Sequence, residues 1–313
     1  MKAIQLNGFG GVENLELTEM DRPEVAAGQV LIEAKAISIN PVDVKTRLGK
    51  GVAAQIKDHL PAVIGWDIAG TIVEIGNGVD IFTAGQEVFG MIAFPASGKT
   101  YAEYVVANAS ELTIKPRIVS HEEAAAASLA ALTAWQALMV HGRFQPNDRV
   151  LIHAGSGGVG HYAIQIAKNF GAHVITTASA ANKSFVLSLG ADEHIDYKTQ
   201  EFDQVLSDVD FVLDTMGGEY IDRSIKIMKK GGTIVSLPTG LNETVSDKAA
   251  AAGMTGKAVR VRPDGNHMKA IAELMAERKI RSHIDKRYAF EDMASAHAHV
   301  ESGRTVGKVV LSF

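Results

Sequence analysis

The sequence predicts an α/β chain in two parts, a β-rich part and an open, doubly wound parallel sheet. Three observations carry this. Up to Lys115 the apolar residues fall in short β-branched runs separated by Gly, Pro and Asn. From Asp148 onward strand-like and helix-like runs alternate, the βαβ rhythm of a parallel sheet. Between the first such strand and helix stands a G-x-G-x-x-G pattern at Gly155, Gly157 and Gly160.

In chain order, KAIQL, VLIEAKAISI, GTIVEIG, EVFGMIAF and YAEYVVA read as strands of a barrel- or sandwich-like domain. SHEEAAAASLAALTAWQALMVHG reads as a helix. Ser120 can cap its start, Glu123 sits three residues on as in a capping box, and Gly142 follows its end. DRVLIHAG, HVITTAS, DFVLDTMGG and GGTIVSLPTG are strands. Among them VGHYAIQIAKNF and NKSFVLSLG are helices, the first with an inward stripe of Val159, Ala163, Ile166, Ala167 and Phe170. A strand is expected at Ala258–Pro263, then an amphipathic helix with Met268, Ile271, Ala272 and Met275 on one face. After a helical EDMASAHAHVESG, the closing GKVVLSF is a strand able to return to the first domain. The expected division is 1–122 with 264–313, and 123–263.

Composition narrows the function. The 313 residues are 46% hydrophobic and 21% charged, ordinary for a globular protein of roughly two domains. A net charge of -5 without a basic run argues against nucleic acid and anionic membranes as partners. No 18-residue window is uninterruptedly apolar, and the opening MKAIQLNGFGG lacks a signal peptide's apolar core, so a cytoplasmic location is expected. The absence of cysteine excludes disulfides, thiol nucleophiles and thiolate-bound zinc.

The glycine pattern has the strand–turn–helix context of a dinucleotide site. Gly155 suits the tight turn, Gly157 a close approach to pyrophosphate, and Gly160 close helix–strand packing. The N–H groups of Ser156, Gly158 and Val159 then lie at the positive end of the helix. NAD sites usually place an acid at the end of the next strand. Here the segment from Thr176 to Ser184 has none, but contains Ser179 and Lys183, which suit a 2′-phosphate. The cofactor expected is therefore NADP(H), with Tyr197 near its adenosine end. Lys183 as a plain solvated charge is the alternative. Strand ends carrying Met216 and Leu237 would flank the ribose and nicotinamide.

Ile39–Gly49 (INPVDVKTRLG), Gly65–Gly76 (GWDIAGTIVEIG), Leu132–Leu138 (LTAWQAL), AGSGGVG and Gly303–Leu311 (GRTVGKVVL) occur in the order of a known family. Over essentially its whole length the chain resembles the medium-chain dehydrogenase/reductase superfamily, in its zinc-free, NADPH-dependent quinone oxidoreductase branch. The resemblance implies a GroES-like N-terminal domain, an inserted Rossmann domain, a cleft between them for the nicotinamide, and commonly a homodimer. It implies that Asn40 and Asp43 lie by the nicotinamide, and that Thr133, Ser179, Lys183 and Tyr197 touch the cofactor. It also implies that Lys308, with Arg304 and Gly307, approaches it. Zinc relatives carry Gly-His-Glu where this chain has Gly65-Trp66-Asp67, and indole cannot ligate zinc; no metal is expected.

Without a Lewis acid, the acceptor has to be already electrophilic or polarised by hydrogen bonds. A quinone or an α,β-unsaturated carbonyl meets that need. The Asn40 amide is the first candidate donor, with Asp43 orienting its loop, although turn chemistry alone also accounts for both residues. Trp66 is expected to wall the substrate site, a core tryptophan being the alternative. No tyrosine follows the N-P-x-D segment before Tyr101, which argues against an enoyl-thioester reductase. Two other readings stay open: reduction of other aldehydes or ketones, and a non-catalytic NADP(H)-binding sensor.

Overall fold

The five runs read as strands fold as β1 (Lys2–Leu6), β3 (Gln29–Ile39), β5 (Asp67–Ile75), β6 (Glu87–Met91) and β7 (Tyr104–Asn108), and the N-terminal part adds β2 (Leu15–Glu19), β4 (Ala62–Val63) and β8 (Thr113–Ile114). Helix α1 (Pro41–Arg47) follows β3, with Pro41 at its first position, where a missing N–H costs nothing. The computed structural model describes residues 1–142 and 144–313. The chain divides into two units, Met1–Leu132 with Arg262–Phe313, and Thr133–Val261.

Helix α2 (His121–Trp135) starts with the expected capping box. The Ser120 N–H donates to Glu123 Oε2 at 2.9 Å, and the Glu123 N–H to Ser120 Oγ at 3.1 Å. A π-helical segment, Gln136–Gly142, continues it. Among the described residues His121–Gly142 is the one helix long and apolar enough to cross a membrane, and most of it is buried inside the protein. The unit boundary falls after Leu132, ten residues later than the sequence suggested. The first turns of α2 are fastened to the first unit: the Leu129 N–H donates to Asp67 Oδ1 at 2.8 Å, and Ser282 Oγ to the Glu123 carbonyl at 2.7 Å.

The second unit is the alternating region. Strands β9 (Arg149–Ile152), β10 (His173–Ala178), β11 (Glu193–Asp196), β12 (Val209–Asp214), β13 (Met228–Ser236) and β14 (Thr255–Ala258) form one sheet in the order β11-β10-β9-β12-β13-β14. Every pairing is parallel. Counted from β9, the order is 3-2-1-4-5-6, the doubly wound order of a Rossmann fold, with its switch point between β9 and β12. The connecting helices are α3 (Gly158–Asn169), α4 (Lys183–Ser188), α5 (Phe202–Val205), α6 (Glu219–Ile227) and α7 (Val245–Ala251). Leu151, Ile175, Val212, Ile221 and Ile234 are among the buried residues of this unit's core. In α3, Ala163, Ile166 and Ala167 are buried as expected, but Phe170 is exposed and meets Trp135 edge-on with ring centroids 6.0 Å apart.

The strand expected at Ala258–Pro263 lies earlier, at Thr255–Ala258. Its partner β13 ends at Ser236, opposite Ala258, so no ladder remains beyond that point. The chain then rejoins the first unit as α8 (Gly265–Ala276), β15 (Ile284–Ala289), α9 (Met293–Glu301) and β16 (Lys308–Ser312). In α8 the buried residues are Met268, Ile271, Ala272 and Met275, the predicted stripe. As expected, β16 completes the first unit's sheet, of order β15-β16-β3-β5-β6-β8 with β7 also on β3; a second, smaller sheet runs β2-β1-β4. Val309 and Leu311 join that unit's core beside Ile37, Ile39 and Ile68.

Candidate functional site

In the second unit, five predicted segments follow five successive parallel strands, so the topology places them along one sheet edge. The glycine-rich turn follows β9, Ser179–Lys183 follows β10, Tyr197 follows β11, Met216 follows β12 and Leu237 follows β13. Ligands of such sheets bind at this carboxyl edge, at the switch point.

The three glycines have separate reasons. A Cβ on Gly155 would lie 2.0 Å from Thr176 Oγ1, and one on Gly160 2.3 Å from the Ala154 carbonyl oxygen. Both are there for close packing. The left-handed residue of the turn is Ala154, with φ 51°. A Cβ on Gly157 would meet only the Ala154 oxygen, at 3.3 Å. The space before it is open, and no side chain caps α3 there. Uncapped N–H groups of Gly158, Val159 and Gly160 at a helix start suit a phosphate.

Neighbouring strand ends hold this turn. The Ala154 N–H donates to Thr177 Oγ1 at 3.0 Å and the Gly155 N–H to the Thr177 carbonyl at 2.9 Å. Asn182 Nδ2 donates to Ser156 Oγ at 3.1 Å, tying the turn to the Ser179–Lys183 segment. Lys183 is exposed and, among the described residues, engages no partner with its ammonium group. Tyr197 is 53% and Met216 41% exposed, so both offer a face to a ligand. Asp214 shapes the Met216 turn, its carboxylate accepting the N–H groups of Met216 at 2.8 Å and Gly217 at 2.9 Å, and Ser236 Oγ at 2.6 Å. Thr133 is buried, the first residue of this unit.

In the first unit, antiparallel pairing sets the end of β3 beside the starts of β5 and β16. Asn40, Asp67 and Lys308 therefore converge, all of them buried. Asp67 Oδ2 accepts Ser38 Oγ at 2.6 Å and Asn40 Nδ2 at 2.8 Å, with Lys308 Nζ at 3.6 Å. Lys308 Nζ also donates to the Ile39 carbonyl at 3.1 Å and to Asn40 Oδ1. Burial pushes the Asp67 carboxyl up, opposed chiefly by Lys308, and pushes the Lys308 ammonium down, opposed chiefly by Asp67.

Asp43 accepts the Asn40 backbone N–H on Oδ2 and the Tyr101 hydroxyl on Oδ1, both at 2.8 Å. It thus ties the Asn40 loop to the first turn of α1. Burial, then the nearby Asp67, pushes its carboxyl up to about 7. The Tyr101 oxygen also lies 2.9 Å from His297 Nε2.

Two expectations need correction. Lys308 does not present its charge to a cofactor: it is buried, and its ammonium is directed at Ile39, Asn40 and Asp67. Trp66 does not wall a substrate site. It is fully buried, its indole N–H donates to the Ala96 carbonyl at 2.7 Å, and its ring packs edge-on against Phe94. A third role is narrowed: Asn40 is only 1% exposed, and one of its amide hydrogens is already taken by Asp67. Tyr101, His297 and Asn182 were missed because nothing local in the sequence marks them. Among the described residues no three His, Asp or Glu side chains are grouped to hold a metal ion.

Residues 26–117 match the family model of the alcohol dehydrogenase GroES-like domain, and residues 189–311 that of zinc-binding dehydrogenases. The chain is 35% identical over 322 residues to the 2-methylene-furan-3-one reductase of Solanum lycopersicum, covering 99% of this chain and 79% of that one. Among solved structures, the quinone oxidoreductase from Coxiella burnetii superposes with TM-score 0.96 at 37% identity, covering 100% and 99% of the two chains. The Escherichia coli quinone oxidoreductase complexed with NADPH superposes with TM-score 0.88 at 27% identity, covering both chains completely. The chain belongs to the medium-chain dehydrogenase/reductase superfamily, in its quinone oxidoreductase-like branch. It is an NAD(P)H-dependent oxidoreductase built from a GroES-like domain and a Rossmann-like domain.

Proposed function

We propose that this chain is a zinc-independent, NADPH-dependent reductase of quinones or α,β-unsaturated carbonyls. One observation supports it most: at the switch point, an uncapped helix start and the open space before Gly157 stand next to a strand end that carries Ser179 and Lys183, which has no partner among the described residues, but no acid. The first feature fits a pyrophosphate and the second a 2′-phosphate. When bound, NADPH supplies a hydride. The chain's own residues hold the phosphates, keep the Met216 and Leu237 turns in place, and set a hydrogen-bond donor at Asn40 for the acceptor oxygen that gains electron density. The relatives' names, a furanone reductase and quinone oxidoreductases, agree with acceptors that need no metal. We extend the reading to a homodimer, which light scattering tests directly.

The decisive experiment compares NADPH and NADH with a para-quinone, an ortho-quinone, an acyclic enone and a saturated aldehyde. NADPH is expected to be preferred, and Lys183→Ala to lower that preference about tenfold, the worth of one charge-assisted contact. A preference for NADH overturns the cofactor assignment. Turnover of the saturated aldehyde alone overturns the acceptor class, and tight NADPH binding without turnover makes the chain a sensor.

A further inference from the structure

Asn40 is held by two groups of opposite hydrogen-bonding character. An ammonium only donates and a carboxylate only accepts. Lys308 therefore selects the amide oxygen and Asp67 the amide nitrogen. Rotating the amide by half a turn would set its NH₂ against the ammonium and its oxygen against the carboxylate. Both holding groups are fixed in turn: Lys308 by the Ile39 carbonyl, Asp67 by Ser38 Oγ and the Leu129 N–H. The charge on the amide oxygen also draws density from the nitrogen, which strengthens its N–H as a donor. One amide hydrogen goes to Asp67, and the second has no acceptor among the described residues.

We propose that Lys308 and Asp67 are positioning residues, which together lock the Asn40 amide in one orientation so that its second hydrogen is the donor offered to the acceptor's carbonyl oxygen. The inference rests on the activity proposed above and adds the machinery that aims the donor. It assigns Lys308 to the acceptor side of the reaction instead of to the cofactor.

An exchange of side chains tests it. Asn40→Asp combined with Asp67→Asn keeps one buried carboxylate, its ion pair with Lys308 and a hydrogen bond between positions 40 and 67, but removes every N–H from side chain 40. The exchanged enzyme is expected to melt near the wild type and to keep its KM for NADPH within about twofold, while kcat falls about 100-fold, the usual loss for one donor to a developing oxyanion. A kcat within about threefold of wild type overturns the proposal, because a donor worth a hundredfold was predicted. Should the exchanged chain not fold, Lys308→Met gives a second reading: kcat is expected to fall with KM for NADPH unchanged. A raised KM for NADPH with kcat intact overturns it and returns Lys308 to the cofactor. An inactive wild type, by contrast, overturns the proposed activity itself, whereas an active wild type with an equally active exchanged pair overturns the Asn40 donor and with it the positioning role, and leaves the activity standing.

Discussion

Trp66 shows how one residue changes meaning between sequence and structure. Beside Asp67, in the place where zinc relatives carry His-Glu, it suggested a wall of the substrate site. The structure buries it completely and uses its N–H on the Ala96 carbonyl. Trp66→Ala is therefore expected to destabilise the fold by about 3–5 kcal/mol, the range for emptying a buried aromatic site. Denaturant melts check this, and acceptors should be affected alike rather than flat aromatic ones selectively. Asp67, its neighbour, is the centre of the buried cluster with Asn40 and Lys308. A pattern reading finds Asn40 and Asp43, three residues apart in one motif. It cannot find that Lys308, 268 positions from Asn40, shares their site, because only the β16–β3 pairing brings it there.

At the level of elements, the glycine-rich turn was legible because its residues, the preceding strand and the following helix are contiguous. The separate reason for each glycine was not, since each depends on what lies across from it. That difference yields a prediction. Gly157→Ala meets only one carbonyl oxygen at 3.3 Å, so it should leave the thermal midpoint nearly unchanged while weakening NADPH binding. Gly160→Ala would put a Cβ 2.3 Å from a backbone oxygen, so it should lower both stability and binding. Calorimetric melting and NADPH titration of the two variants separate the outcomes, and equal loss of stability in both would refute the distinction. Other elements followed the same rule. The capping box at Ser120 and Glu123 is local, and it formed as read. Strands β2 (LELTE) and β15 (IDKRYA) escaped notice because they are largely exposed and polar, held by pairing more than by an apolar face.

Across the whole molecule, buried titratable groups give stability a pH dependence of opposite signs. Burial lowers His297 to about 3 and His153 to about 4, from an ordinary value of 6.5. The unfolded chain binds those protons first, so their contribution is complete above pH 6.5 and is lost as pH falls toward these values. Asp43, raised from 3.8 to about 7, acts the other way: its contribution is complete below 3.8 and is lost as pH rises through 7. The melting difference between wild type and His297→Gln should therefore shift in the wild type's favour from pH 5 to 7. The same difference for Asp43→Asn should shift against the wild type. Each slope is at most about 1.4 kcal/mol per pH unit for one proton, and scanning calorimetry across that range measures both. By itself the sequence determined the two-part α/β architecture, the dinucleotide turn and the absence of thiolate chemistry, because those follow from contiguous periodicity and from composition. Only the tertiary structure decided which buried polar groups meet. Asn40, Asp67, Lys308, Tyr101 and His297 come from segments far apart in the chain, and the distances that govern their protons exist only once the sheet has paired.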